Sequence, residues 1–272
     1  MNMSELLIKP KKTPDQDGNV IKVSPEDAGW KYVGFEVYQL KEGQSFEKET
    51  GNLEVAVVLL SGRADASTNS KSWDNIGKRM SVFDDSPAYT VYVSSDDKVA
   101  LKALTDLEIA VCTAPGKGTY EARLITPEDV AVARRGYGNL EREIHNVLPA
   151  DKPADSLFVF EVYTPEGNWS SYPPHKHDEE NLPNESYLEE TYYHKTNSPE
   201  NAFAIQRVYT DDKSLDETII VRDGELVLVP KGYHPVSNPP GYKLYYLNVM
   251  AGPVREWKFT NDKDHEWLLA KN

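Results

Sequence analysis

GELVLVPKGYHPVSN, residues 224–238, reads as a short apolar strand bounded by turn residues. Gly224 opens it and Leu226–Val229 form its body. Pro230, Lys231 and Gly232 close it, and His234 follows at once. A continuous apolar run of this length between turn signals fits a buried strand better than a helix, which would need more residues. The turn then delivers an imidazole at the end of a strand, and such an end lies at the mouth of a sandwich or barrel.

Upstream lies YPPHKH, with His175 and His177 one residue apart. Alternate residues of a strand point to the same face, so this pair can look into one interior together. Neutral imidazole nitrogens bind zinc, iron, manganese or nickel, and a carboxylate would complete such a set. Asp178, Glu179, Glu180, Glu185, Glu189 and Glu190 are the nearby acids. The first four lie in a polar segment with Asn, Pro and Ser and read as solvated. In ETYYHK, Glu190, Tyr192 and His194 share one face, and Glu190 is the favoured fourth ligand. Taken alone, an HxH pair and a histidine before proline are as often structural as ligating.

Strand signals extend over the whole chain. The first half has VGFEVYQL (33–40), EVAVVLL (54–60), YTVYV (89–93) and LEIAVC (107–112). The second has LFVFEVY (157–163), AFAIQRVY (202–209), ETIIV (217–221) and LYYLNVM from Leu244. Turn clusters separate them, which predicts antiparallel sandwiches or barrels. The helical signal is TPEDVAVARRGYG (126–138), with Thr126 as cap, Pro127 opening and Gly136 ending the helix. It is expected to join two similar halves, at 1–140 and 141–272. All six histidines lie from His145 onward, so only the second half can hold a histidine-rich site.

The chain has 272 residues and a formal charge of −14, which disfavours nucleic acid and anionic membranes as partners. Neither an apolar leader nor an apolar run long enough to span a bilayer is evident, so a cytoplasmic protein is expected. The single cysteine, Cys112, lies in an apolar strand and reads as a buried thiol.

Gly224–Pro230–Gly232–His234–Asn238 resembles the second cupin motif, with one residue fewer between Gly232 and His234. The pair His175–His177, followed by Glu190, resembles the first, with twelve residues before the glutamate where three or four are common. SSYPPHKHD, LEETYYH, FAIQRVYTDDKSLDETIIVRDGELVLVPKGYHPVSNPPGYKLYYLNVMAGPVREW and NDKDHEW together resemble the 5-deoxyglucuronate isomerase family of myo-inositol catabolism. That family has an insertion at this point of the first motif. The likeness covers nearly all of 155–267, and the first half carries it more weakly through EVAVVLLSGRADAS. Glu54 there stands where a first-motif glutamate could fall, without a histidine near it.

The resemblance implies an all-β fold of two cupin (jelly-roll) barrels in tandem, with few short helices and a metal in the second barrel only. It implies His175, His177, Glu190 and His234 as ligands to a divalent ion, zinc first, manganese or iron otherwise. The implied reaction is the aldose–ketose isomerisation of 5-deoxy-D-glucuronate to 5-dehydro-2-deoxy-D-gluconate. The ion would act as a Lewis acid on adjacent oxygens. Candidate catalytic groups are Glu190, Tyr246 and Lys231. Candidate substrate contacts are Arg207, Lys231 and Tyr192, with Arg207 or Lys231 meeting the carboxylate. A homodimer fits the pattern. A cupin dioxygenase and a non-catalytic sugar-binding bicupin are the competing expectations. Oxygen uptake would mark the first and lack of turnover the second.

Overall fold

The computed structural model describes residues 4–271 and contains only strands and three short 3-10 stretches among them. Cα packing divides these residues into two compact units. The C-terminal unit comprises 4–9, 132–146 and 160–271, and the N-terminal unit comprises 10–131 and 147–159. A single border between 140 and 141 does not describe this division. Leu7–Ile8 pairs antiparallel with Leu226–Val229 and forms an edge strand of the C-terminal unit. Residues 155–157 instead turn their amides onto Glu54 of the N-terminal unit.

In the N-terminal unit a six-stranded sheet has Leu53–Ser61 and Leu107–Pro115 near its centre, and a four-stranded sheet runs from Ser45–Glu49 to Ser72–Ile76. Val55, Val57, Leu59, Val91, Val93, Ile109 and Val111 pack into one core cluster. Each such side chain stabilises the fold by roughly 1.5–3 kcal/mol when fully buried. Cys112 is wholly buried, and burial pushes its thiol pKa upward. Glu54 is also buried. It accepts the Tyr92 hydroxyl at 2.6 Å and the Asp155, Ser156 and Leu157 amides, so here the first-motif position anchors backbone.

In the C-terminal unit the large sheet runs Leu7–Ile8, Leu226–Val229, Glu189–Thr196, Leu244–Ala251, Phe158–Thr164, Arg142–Leu148 and Ala131–Arg135. A four-stranded sheet runs Trp169–Ser170, Val236–Ser237, Ala204–Tyr209 and Asp216–Val221. His175–Lys176 pairs separately with Thr260–Asn261.

The expected helix over 126–138 is absent. Pro127–Asp129 makes one 3-10 turn, with the Asp129 carboxylate accepting the Thr126 amide at 2.9 Å and its hydroxyl at 3.0 Å. Ala131–Arg135 is then a mostly exposed strand. Thr126 and Pro127 open only that single turn and not the expected helix, because a neighbouring strand outweighs the local helical preference of AVARR. His145 is likewise not in a linker. It is buried on Arg142–Leu148, with its Nε2 3.1 Å from Glu143 and its Nδ1 3.5 Å from Glu161.

Candidate metal centre

Glu190 sits on Glu189–Thr196 between Leu226–Val229 and Leu244–Ala251. The register sets Tyr192 opposite Asn248 and His194 opposite Tyr246. The period of two puts Glu190, Tyr192, Tyr246 and Asn248 on the inner face. All four line a cavity of about 470 Å³ in the C-terminal unit.

His234 arrives from a different sheet. Gly232 makes the turn at φ +86°, and a Cβ there would lie 2.3 Å from the Tyr209 carbonyl oxygen. Tyr233 and Tyr209 exchange amide hydrogen bonds of 2.8 and 2.9 Å, which set the height of the arm. Only glycine meets both demands, the positive φ and the close backbone. The His175–Lys176 arm is held by its pairing with Thr260–Asn261.

The three imidazoles converge. His175, His177 and His234 each offer a ring nitrogen, and these atoms lie within 4.8 Å of one another. Glu190 Oε2 is 3.0 Å from Nε2 of both His177 and His234. Each ring turns its other nitrogen to a backbone carbonyl. Nδ1 of His234 donates to Gly232 at 2.9 Å and that of His177 to Leu188 at 3.1 Å, while that of His175 stands 3.5 Å from the Pro173 oxygen. These bonds assign the proton to Nδ1 and leave the Nε2 lone pairs pointing inward.

Lone pairs facing a carboxylate at 3.0 Å require a cation between them. A proton can serve at one ring. Burial would lower the His177 pKa, but the Glu190 carboxylate outweighs it and raises it. Burial likewise opposes ionisation of Glu190, yet His234 and His177 bring its pKa down to about 2. Burial and the neighbouring rings hold His175 well below the ordinary histidine value, and His234 is also lowered. His234 Nε2 is buried and has no hydrogen-bond partner among the described residues. An orphaned lone pair, two further imidazoles and an ionised carboxylate fit a divalent metal ion.

Second contacts brace the set. Asn248 donates to Glu190 Oε1. Lys176 is gripped by Asp178 at 2.7 Å and by Glu179 and Glu185 at 3.0 Å. Asp178 also accepts the Gly232 amide at 2.7 Å, tying the HxH arm to the His234 turn. The acids expected to be solvated therefore include a buried one, Glu185, because Lys176 is buried and needs counter-charge. Ser171, at φ +49°, places its hydroxyl 3.0 Å from that of Tyr192 and 3.4 Å from that of Tyr246. His194 lies beyond Tyr192, fully buried, donating Nε2–H to Gln206 at 3.0 Å, and is no part of the ligand set.

Two expected substrate contacts lie elsewhere. Arg207 forms a two-pronged ion pair with Asp216, 2.7 Å on each prong, and stacks over Tyr209. The antiparallel partner strand supplies this carboxylate from outside the cavity, so the guanidinium is already satisfied. Lys231 is exposed on the turn and does not line the cavity, because the turn that sends His234 inward leaves Lys231 outside. Sequence reasoning missed Arg142, Ser171 and Asn248, which do line it. Asn248 could have been found, since it shares a face with Tyr246 two residues away.

The sequence matches the KduI/IolB family over residues 6–268. It is 64% identical over 267 residues to a 5-deoxy-glucuronate isomerase of Geobacillus thermodenitrificans, covering 98% of this chain and 97% of that one. It is 46% identical to a protein of the same name from Bacillus subtilis strain 168, over 99% of this chain and all of the other. A crystal structure of an IolB-like protein from Salmonella typhimurium superposes with a TM-score of 0.94 at 48% identity, over 98% of this chain and 100% of that one. The oxalate decarboxylase of Lactobacillus farciminis, at 14% identity and a TM-score of 0.65 over 100% of this chain and 92% of the other, shares the cupin fold alone. Matched along nearly its whole length in sequence and in structure, the chain belongs to the KduI/IolB family.

Proposed function

We infer that the chain is a 5-deoxy-glucuronate isomerase, an intramolecular oxidoreductase that turns 5-deoxy-D-glucuronate into 5-dehydro-2-deoxy-D-gluconate. The observation that carries the inference is the convergence of His175, His177, His234 and Glu190 at a cavity sized for a six-carbon sugar acid, in a chain 64% identical to a relative of that name. We place it in myo-inositol catabolism, in the cytoplasm. No helix among the described residues is long and apolar enough to cross a membrane.

The four ligands would hold a divalent ion, with zinc, manganese and iron all suited to three imidazoles and a carboxylate. When bound, such an ion supplies Lewis acidity to the substrate's adjacent carbonyl and hydroxyl oxygens. The remaining work falls to side chains. Hydrogen must move from C2 to C1 and a hydroxyl proton from O2 to O1. Burial raises the Tyr246 pKa, so its phenol keeps its proton and serves as a hydrogen-bond donor at an oxygen. Glu190 is ionised and is the carboxylate on the cavity wall, which makes it the acceptor for a carbon-bound proton. Tyr192 and Ser171 present hydroxyls that orient the sugar. Trp257 and Phe259 exclude water from the apolar side of the cavity.

Metal-loaded protein incubated with 5-deoxyglucuronate in deuterated water, followed by NMR, tests this reading. Formation of the ketose without oxygen uptake supports it, and deuterium on the new C1 methylene supports proton transfer over a hydride shift. Oxygen consumption without ketose would replace the isomerase with an oxygenase.

A further inference from the structure

The two cations expected to meet a sugar acid's carboxylate, Arg207 and Lys231, lie outside the cavity. Two arginines that sequence reasoning did not select stand on its wall. Ala131–Arg135 and Arg142–Leu148 are neighbouring strands joined by the short turn through Gly136. Arg134 and Glu143 pair across them at 3.2 Å. One step inward on both strands reverses the face and brings Arg135 and Arg142 side by side. Ile144 and Asn146 continue that inner face, and all four residues line the cavity.

The turn is shaped to receive Arg142. Gly136 has φ +84°, and a Cβ there would meet the Leu140 oxygen at 2.0 Å and Arg142 Nη1 at 2.9 Å. Nη1 donates to the Leu140 carbonyl at 3.2 Å, which fixes the guanidinium plane. Neither arginine forms an ion pair among the described residues. Glu143 is taken by Arg134 and His145 on the opposite face, and Glu190 is engaged by His177 and Asn248. Burial and the neighbouring Arg135 both disfavour the charge on Arg142. Two neighbouring guanidiniums without a counter-ion, Arg142 partly buried and Arg135 exposed at the rim, make an anion site. That site sits in a protein of net charge −14, so it is local and not part of a basic surface.

We propose that Arg142, assisted by Arg135, binds the substrate's carboxylate and selects a sugar acid over a neutral sugar. The proposal rests on the isomerase reading for its substrate. It orients the molecule with its carboxylate at the 135–142 strand pair and its carbonyl end at the histidines.

The test compares 5-deoxyglucuronate with 5-deoxy-D-glucose, in which a hydroxymethyl group replaces the carboxylate. Loss of one partner from a desolvated charge pair lowers kcat/KM for the acid about 30-fold or more in Arg142→Met, chiefly through KM. Turnover of the neutral sugar stays within a few-fold of wild type. Arg142→Lys recovers part of the loss, since it keeps the charge but not the two-pronged geometry. Arg135→Met shows a smaller effect of the same kind and serves if Arg142→Met does not fold. Calorimetry with D-gluconate, which has no carbonyl to isomerise, reads binding apart from turnover. At least ten-fold weaker gluconate binding by the variant supports the proposal. An unchanged preference for acid over neutral sugar, with unchanged gluconate affinity, overturns it. Should the wild type fail to turn over 5-deoxyglucuronate, the isomerase reading falls, and the gluconate arm still decides whether Arg142 is an anion site.

Discussion

Glu190 is the residue on which two demands meet. Its Oε2 lies 3.0 Å from Nε2 of both His177 and His234, and the same side chain lines the cavity. Glu190→Gln keeps the shape and removes the charge. We expect metal affinity, read by equilibrium dialysis, to fall on the order of 100-fold, with turnover falling at least as far. Retention of full metal content would show that the imidazoles suffice. His194 offers a test independent of the metal. Burial lowers its pKa to about 4 in the folded protein, against ~6.5 in the unfolded chain. Between these values the unfolded state binds more protons, so stability falls as pH drops from ~6.5 to ~4. His194→Gln removes that contribution. Urea melts across this window should give a pH slope shallower than wild type by on the order of 1 kcal/mol per unit. Parallel slopes would mean that His194 carries a proton in the folded state. The candidate ligands were legible because strand alternation and turn chemistry are local. Arg142 was not, because its partner Arg135 lies across a strand pair hidden behind a helical-looking segment.

At the scale of elements, the centre is assembled by turns and short arms. The Gly232 turn sets His234 against Tyr209, and Asp178 links that turn to the HxH arm. Gly232→Ala should destabilise the C-terminal unit by about 2 kcal/mol or more, since a left-handed residue gains a Cβ against backbone. Thermal unfolding checks this, and metal affinity should weaken with it as His234 shifts. An unaltered melting temperature would show that the turn can relax. The strand Ala131–Arg135 shows the converse limit of local reading. Thr126, Pro127 and Gly136 carry helix-end chemistry, yet the segment between them extends. A polar edge strand has little alternation to announce it, and its partner, Arg142–Leu148, supplies the hydrogen bonds that a helix would have made internally.

For the whole molecule, the same sheet-pair plan occurs in two units with different uses of one position. In the N-terminal unit the carboxylate of Glu54 is satisfied by backbone amides and Tyr92, and no histidine is present. In the C-terminal unit Glu190 faces imidazoles. A divalent ion that binds only the folded centre should therefore raise stability by RT ln(1 + [L]/Kd), about 2.7 kcal/mol at 100-fold excess over Kd. In a chain of this size that amounts to roughly 5–10 °C in melting temperature. Calorimetry of chelator-treated protein against a zinc, manganese and iron(II) series checks it and ranks the metals. Equal melting temperatures in all samples would count against a bound ion.

The sequence alone determined the all-β class, the cupin-type strand and turn pattern, and the four residues that converge as a candidate metal set. Each of these follows from near neighbours along the chain: alternation in strands, glycine at positive φ, imidazoles beside turns. Only the tertiary structure decided which cations face the cavity, which acids are buried around Lys176, and that Leu7–Ile8 pairs with a strand more than two hundred positions away. Those outcomes depend on which strand lies beside which, and sheet pairing across a long loop is set by the packing of the whole core and not by the residues it joins.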